Sequence, residues 1–214
     1  MGRPPKFTRR QVQEAALALV DEHGVDGLSM RRLAGALGTG PMTLYNHVSD
    51  RQDLERLVVD AVLGQARPPA ARPGDWRAGV EEAAVAMWEA VRAHPHAVPL
   101  ILTRRSTSTA VHDIAEALLA ALAGSGRTGR DLLVAFRAVT AFVTGSIQVE
   151  LAGPLATAAD ERAADVIARM SALPGDRYPH LVDIAHAAAG SDAAAEFREG
   201  LRCLLAGLDA TANG

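Results

Sequence analysis

Several residue types are scarce in this chain of 214 residues, and each scarcity excludes a class of protein. Cys203 is the one cysteine, so an intrachain disulfide and a zinc site of four thiolates are both excluded. No stretch holds the roughly 18 to 20 uninterrupted apolar residues of a membrane span, and Gly2, Pro4 and Pro5 stand where a signal peptide has its apolar core. The composition predicts a cytoplasmic protein of one or two domains with no membrane partner.

Charge is unevenly distributed along the chain. Residues 1–67 contain 9 Lys and Arg against 8 Asp and Glu, a net charge of +1, whereas residues 68–214 contain 13 against 17, a net charge of -4. Arg3, Lys6, Arg9 and Arg10 form a basic N-terminal arm that would suit a polyanion. A frayed, solvated terminus explains the arm equally well, so it needs support from the residues that follow.

Apolar residues recur every three or four positions, and no segment shows the alternation of a strand, so the predicted fold class is all-α. A first group of helices is predicted over 8–23, 30–37, 41–47 and from Ser49 or Asp50 to about Ala66. A second group is predicted over 75–94, 96–104, 107–123, 129–152, 160–171, 179–189 and 192–209. The proline-rich segment 67–74 predicts a linker between an N-terminal domain, 1–66, and a larger helical domain, 75–214.

Two short helices joined by Gly38-Thr39-Gly40 predict a helix-turn-helix, in which the second helix enters the major groove of DNA. The side chains predicted to point inward are Leu33, Leu37, Leu44 and Val48. The side chains predicted to contact bases or phosphates carry guanidinium, hydroxyl, amide, imidazole and apolar groups: Arg31, Pro41, Met42, Thr43, Tyr45, Asn46 and His47. The helix-turn-helix therefore predicts double-stranded DNA as a partner.

The residues themselves, over 21–38 and 42–48, resemble the N-terminal domain of TetR-family transcriptional repressors, and the core Leu44-Tyr45-x-His47 is the most specific part. The resemblance spans about residues 8–63 and includes Leu54 in the fourth helix. It implies groove-facing positions for Arg31, Pro41, Met42, Thr43 and Tyr45, and phosphate-contacting positions for His47 and Arg51. The chain departs from many relatives at Met30, Asn46 and Arg51. The alternative for Tyr45 and His47 is a buried aromatic and a helix cap.

The larger domain resembles the C-terminal regulatory domain of the tetracycline-repressor branch at 94–100, 142–146, 196–201 and 204–208. The resemblance implies a homodimer that pairs through the helices at 129–152 and 192–209. The candidate interface residues are small or apolar: Ala141, Gly145, Ser146, Phe197, Leu201, Leu204, Leu205 and Leu208. The alternative is that the same side chains fill the core of one chain.

Polar groups set among large apolar ones predict a pocket for a small-molecule effector in this domain. The candidate lining residues are Met87, Trp88, Val91, Leu102, Arg104, Phe136, Thr140, Val143 and Thr144. Each of them also fits an ordinary core position. The effector itself, and whether it binds as a metal chelate, are not encoded in a readable motif.

Enzymatic motifs are absent from the pattern, so no catalytic residue, cofactor or metal ligand is predicted. Residues 124–129 match G-x-G-x-x-G but follow a helix rather than a strand, which indicates an interhelical loop. The histidines at 94, 96, 112, 180 and 186 lack a metal-binding spacing.

The leading hypothesis is a homodimeric repressor that binds a palindromic operator and leaves it when an effector binds. The alternatives are an all-helical ligand-binding enzyme and a nonspecific DNA-coating protein.

Overall fold

The computed structural model describes residues 7–45, 47–67, 74–104, 108–152, 162–190 and 192–212. These residues form α-helices joined by short turns and contain no strand, which confirms the all-α fold class.

The N-terminal part of the chain holds four helices: α1 (Arg9–His23), α2 (Met30–Ala36), α3 (Pro41–Leu44) and α4 (Arg51–Leu63). Side-chain caps set their starts, because the hydroxyls of Thr8 and Ser29 and the carboxylate of Asp50 each accept a hydrogen bond from a backbone N–H of the first turn. Gly38 has a φ of 60°, a left-handed conformation that places α3 across α2.

The third helix ends at Leu44, three residues earlier than predicted. The backbone N–H groups of His47 and Val48 both donate to the Leu44 carbonyl and close the helix there. Asp50 then adopts an extended backbone, with φ of -152°, in order to cap α4. The hydrogen bonds that end α3 at Leu44 and the cap of α4 at Asp50 are close in sequence. They leave room for a single turn of helix between Gly40 and Tyr45.

The larger part contains α5 (Trp76–Arg92), α6 (Val98–Thr103), α7 (Thr109–Ala123), α8 (Gly129–Ala152), α9 (Ala163–Ser171), α10 (Pro179–Ala188) and α11 (Ala193–Ala212). A 3₁₀ turn, Pro95–Ala97, leads into α6. The predicted helices are therefore confirmed in kind and order, with boundaries that shift by a few residues. The loop between α7 and α8 contains residues 124–128, which confirms that the glycine-rich motif lies in an interhelical loop.

Helix α4 joins the two halves of one continuous apolar core. It packs against α1 on one side and against α5, α6 and α7 on the other. Val58, Val59 and Val62 of α4 are buried at this junction. We call α1 to α3 the head and α5 to α11 the body, with α4 as the element between them. Most of the predicted linker, 68–73, lies outside the described residues.

Helix α8 is the longest helix and carries the most apolar exposed surface. Among the described residues, Gly129–Leu151 alone forms a helix long and apolar enough to cross a membrane by length and composition, a test that core helices of soluble proteins also pass. Its exposed apolar side chains are Leu133, Val134, Val149 and Leu151.

Candidate functional site

Helix α3 presents an exposed face directly beside a buried one. Met42 is 78% exposed and Tyr45 53% exposed, whereas Leu44 and Val48 are buried. Pro41 occupies the first helical position, where the missing N–H breaks no helix hydrogen bond. An exposed aromatic and an exposed methionine on a one-turn helix are unusual for a free surface and fit a groove-contacting role.

Helix α2 packs against α3 and adds a cationic group to this region. Arg31 is exposed, and it has no hydrogen-bond or ionic partner within the part of the chain that the structure describes. Thr43 and His47 are half-buried at the border of the exposed face. Asn46, also predicted to contact DNA, lies outside the described residues.

Arg51, implied by resemblance to contact phosphate, is held by groups of its own chain. Its Nε donates to Glu55 at 2.6 Å, and its terminal nitrogens donate to the backbone carbonyls of Val25, at 3.0 Å, and Leu28. These bonds hold α4 to the segment immediately before α2. The guanidinium therefore has a structural role at the base of the helix-turn-helix, whatever it contributes to DNA.

Glu55 is the shared acceptor of two arginines. It is 5% exposed, and its second carboxylate oxygen lies 2.6 Å from Nε of Arg104, which follows α6. Burial raises the pKa of Glu55, but the hydrogen bonds from Arg51 and Arg104 outweigh burial and hold the pKa below its ordinary value. The cluster Arg51, Glu55 and Arg104 therefore links the head, α4 and α6 through charge-assisted hydrogen bonds.

The basic arm extends into α1 and is partly engaged there. Arg9 reaches the carboxylate of Asp60 on α4 at 3.4 Å, and Arg10 pairs with Glu14 at 2.7 Å. Arg3 and Lys6 lie outside the described residues. Two of the four arm cations thus have acidic neighbours within the chain.

A partly open cavity of about 240 Å³ lies between α4 and the body helices α5, α6, α7 and α8. Its lining is Leu63, Met87, Val91, Val98, Ile101, Leu102, Val111, Ile114, Ala115, Leu118, Phe136, Thr140, Val143, Thr144 and Ile147. Seven of these positions were singled out from the sequence as pocket candidates: Met87, Val91, Leu102, Phe136, Thr140, Val143 and Thr144. The structure brings them together on three helices, and it adds the apolar stripe of α7, whose helical periodicity was visible in the sequence.

Two pocket candidates, Trp88 and Arg104, lie outside this cavity, and that part of the expectation is corrected. Trp88 stacks on Phe197 of α11, with ring centroids 4.8 Å apart, and its indole N–H donates to Glu150 at 3.0 Å. Arg104 turns toward Glu55 instead of the cavity. Both side chains contact residues on helices that are distant in sequence, and these contacts direct them away from the cavity.

The candidate interface residues of α11 separate into two groups. Phe197, Leu201 and Leu205 are buried within the single chain, so they belong to its own core, and their assignment to a dimer interface is corrected. Leu204 and Leu208 are half-buried against that core. Ala141, Gly145 and Ser146 of α8 line a groove between α8 and α11. Gly200 has no side chain because Phe142 lies where a Cβ would make a 3.0 Å contact.

Two histidines considered as metal ligands connect the body to α1. Nδ1 of His94 lies 2.9 Å from the Asp21 carboxylate, and Nδ1 of His96 lies 2.9 Å from the Asp21 carbonyl oxygen. No group of three or more His, Cys, Asp or Glu side chains within the described ranges has the geometry of a metal site. These histidines are contacts between head and body.

Comparison with known proteins covers both halves of the chain. Residues 13–56 match the family model "Bacterial regulatory proteins, tetR family", and residues 68–212 match "Tetracyclin repressor-like, C-terminal domain". An HTH-type transcriptional regulator of Saccharopolyspora erythraea is 34% identical over 208 residues, which cover 97% of this chain and 87% of that protein. The HTH-type transcriptional repressor DrrR1 of Streptomyces coeruleorubidus is 31% identical over 215 residues, which cover 97% of this chain and 79% of that protein.

Solved structures share the whole architecture. The TetR family protein ActR of Streptomyces coelicolor, in complex with actinorhodin, has a TM-score of 0.77 and 28% identity over 97% of this chain and 99% of that one. The transcriptional regulator SCO7222, a TetR from Streptomyces coelicolor, has a TM-score of 0.77 and 26% identity over 95% of this chain and 98% of that one. The family match extends over the head and the body alike. The chain is a DNA-binding transcriptional regulator and belongs to the TetR family.

Proposed function

We propose that this regulator is a cytoplasmic homodimeric repressor, which binds a palindromic operator and releases it when a small molecule enters the body cavity. The observation that carries the proposal is the connection between the cavity wall and the helix-turn-helix. Helix α6 contributes Val98, Ile101 and Leu102 to the cavity, and Arg104, the residue after α6, is bonded to Glu55.

The connection continues from Glu55 to the head. Glu55 lies on α4 and also accepts from Arg51, whose terminal nitrogens hold the carbonyls of Val25 and Leu28. A ligand that fits the cavity in one position of α6 better than in another would shift α4, and with it the head. The spacing of two heads on DNA is then the quantity that the ligand controls.

The homodimer is supported by the outer face of α8. Val149 is 64% exposed and Val134 51% exposed, and Leu133 and Leu151 are each 43% exposed. An apolar surface on a helix of this length is typical of a protein interface, and a two-fold dimer presents two helix-turn-helix motifs to a palindrome. The interface that we propose therefore uses α8 and the half-buried Leu204 and Leu208 of α11, rather than the buried core of α11.

Selection of binding sequences from a random duplex pool tests operator recognition. The purified protein is incubated with the pool at about 150 mM salt, which suppresses nonspecific phosphate binding. We expect enrichment of a palindrome with half-sites about one helical turn apart. Failure to enrich any sequence, with a folded protein, would contradict specific recognition and favour a DNA-coating protein or an all-helical enzyme.

Sedimentation equilibrium tests the dimer interface. Val149→Asp places a charge on the exposed face of α8 and should convert the dimer to a monomer at micromolar concentration. Ala120→Asp places the same charge on the exposed face of α7 and should leave the dimer intact. A dimer that survives Val149→Asp unchanged would exclude this face of α8 as the interface.

A further inference from the structure

The chemistry of the cavity restricts what it can bind. Of the side chains that line it within the described residues, Thr140 and Thr144 alone carry a hydroxyl, and the others are aliphatic, thioether or phenyl groups. None of the lining side chains in the described part of the chain is ionisable. A charged molecule that entered this cavity would lose its hydration and find no counter-charge, which is strongly unfavourable.

Charged side chains that are close in sequence to the described lining residues either pair with groups outside the cavity or face solvent. Arg104, two residues after the lining residue Leu102, pairs with Glu55 at 2.6 Å. Glu150, one turn beyond Ile147, accepts from Trp88 at 3.0 Å and from Arg92 at 2.9 Å. On the outer faces of α7 and α8, Asp113, Glu116 and Arg137 are exposed to solvent. Among the described residues, the charged side chains of the body therefore lie outside the cavity wall.

The two hydroxyls differ in their availability. Oγ1 of Thr140 donates to the Phe136 carbonyl at 2.7 Å, so its hydrogen is already used. Thr144 has no hydrogen-bond partner among the residues that the structure describes, although threonines in helices often bond to the carbonyl four residues earlier. Thr144 is therefore the lining group with a hydrogen free to donate.

We infer that the cavity takes an uncharged, predominantly apolar molecule with a single hydrogen-bond acceptor, which receives the Thr144 hydroxyl. The inference deepens the proposed function, because it assumes that the cavity is the effector site. The volume of about 240 Å³ lies between the roughly 150 Å³ that accepts benzene and the roughly 300 Å³ at which pockets for drug-sized ligands begin. A substituted two-ring compound has the right size. Carboxylates, ammonium compounds and metal chelates are excluded.

Two probes of nearly equal shape test the charge rule. 2-Acetylnaphthalene is neutral and carries one carbonyl acceptor, and 2-naphthoate replaces its methyl group with a carboxylate oxygen that is ionised at pH 7. Isothermal titration calorimetry with the full chain should give an affinity for the ketone at least about 100-fold higher than for the carboxylate. An equal or higher affinity for 2-naphthoate would overturn the inference, and so would a failure of 2-acetylnaphthalene to bind.

A substitution cycle tests the role of the Thr144 hydroxyl. Thr144→Val keeps the side-chain shape and removes the donor, so it should weaken 2-acetylnaphthalene about three- to tenfold and leave 2-ethylnaphthalene, which lacks the acceptor, unaffected. Thr103→Val is the matched control, because Thr103 lies on α6 outside the cavity lining and its hydroxyl bonds to the Pro99 carbonyl at 2.7 Å. Equal weakening of both probes by Thr144→Val would overturn the assignment of Thr144.

Release of the selected operator separates this inference from the proposed function. A neutral probe that binds with the predicted Thr144 dependence but leaves the operator bound would support the cavity chemistry and contradict effector-controlled release. A charged compound that binds the cavity and releases the operator would support effector-controlled release and contradict the cavity chemistry. The two failures are therefore distinguishable in one pair of titrations.

Discussion

The head and the body of this protein treat apolar surface in opposite ways. The head packs its interior tightly around Leu28, Leu33 and Leu44, and it leaves large apolar side chains, Met42 and Tyr45, on the outside. The body leaves a cavity of about 240 Å³ on the inside, lined almost entirely by apolar side chains. A filled interior holds a reading surface in place, and an unfilled interior can change shape when it is filled. This difference agrees with the proposed function, in which the head contacts DNA and the body responds to the ligand.

The largest effect is expected from a substitution that enlarges the empty space of the body. Phe197→Ala removes a ring that stacks on Trp88 and lies 5.3 Å from the Phe142 ring, so it should lower the free energy of unfolding by about 3 to 5 kcal/mol. Guanidinium unfolding at two protein concentrations measures this loss. Leu204→Ala, at a half-buried position of the same helix, should cost less. A loss seen at low but not at high protein concentration would instead return Phe197 to the dimer interface.

A smaller effect is expected where head and body meet. Glu55→Gln weakens the bonds to both Arg51 and Arg104, and it should lower the free energy of unfolding by about 2 kcal/mol. The loss stays moderate because both arginines are partly exposed and can be hydrated. The substitution should also reduce the effect of the ligand on DNA affinity, which operator titrations with and without 2-acetylnaphthalene would measure.

Glu14→Gln is the control for the junction, because it breaks an exposed pair with Arg10 on the outer face of α1. It should leave the free energy of unfolding and the effect of the ligand on DNA affinity unchanged. If the ligand lowers the DNA affinity of Glu55→Gln as much as that of the unsubstituted protein, the head and the body communicate by another route.

The reading surface is tested by Arg31→Ala. If Arg31 faces the groove, as the family resemblance implies, loss of its guanidinium should weaken the selected operator by about 1 to 2 kcal/mol and relax the sequence preference at one base pair of each half-site. Binding of the neutral probe should stay the same, because no residue of α2 lines the cavity. Fluorescence anisotropy with operator and with random duplex provides the comparison. An equal loss on both duplexes would assign Arg31 to phosphate rather than to a base.

The smallest effect is expected in the dependence of the free energy of unfolding on pH. Bonds from Ser49 lower the pKa of Asp53, and the two arginines lower that of Glu55, from ordinary values of 3.8 and 4.5. Both carboxyls are therefore more readily protonated in the unfolded chain, so their contribution to stability is complete above about pH 5 and is lost as the pH falls through their lowered pKa values. Urea unfolding between pH 3 and 7 should show this decline, and Glu55→Gln should make it shallower.

Sequence reasoning succeeded where short-range pattern decides the structure. Leu33, Leu37, Leu44 and Val48 were predicted to point inward; all but Leu37 are buried, and Leu37 is half-buried against the same core. Helical period and caps are local properties, which is why the prediction succeeds. Sequence reasoning failed where the direction of a side chain depends on partners that are distant in sequence. The sequence places Trp88 on the same helix as Met87, but its direction is decided by Glu150 and Phe197. The lining residues of α7 were missed because an apolar stripe looks the same whether the space that it faces is filled or empty.

No ionisable side chain lines the cavity within the described residues, and this has a consequence for the response to salt. The affinity of a neutral ligand in such a cavity does not depend on ionic strength, whereas the affinity for DNA falls steeply as salt rises. The two equilibria are linked, so less ligand is needed for half-release when the salt concentration is high. With the cavity as the proposed effector site, the ligand concentration at half-release of DNA should therefore fall as the salt concentration rises.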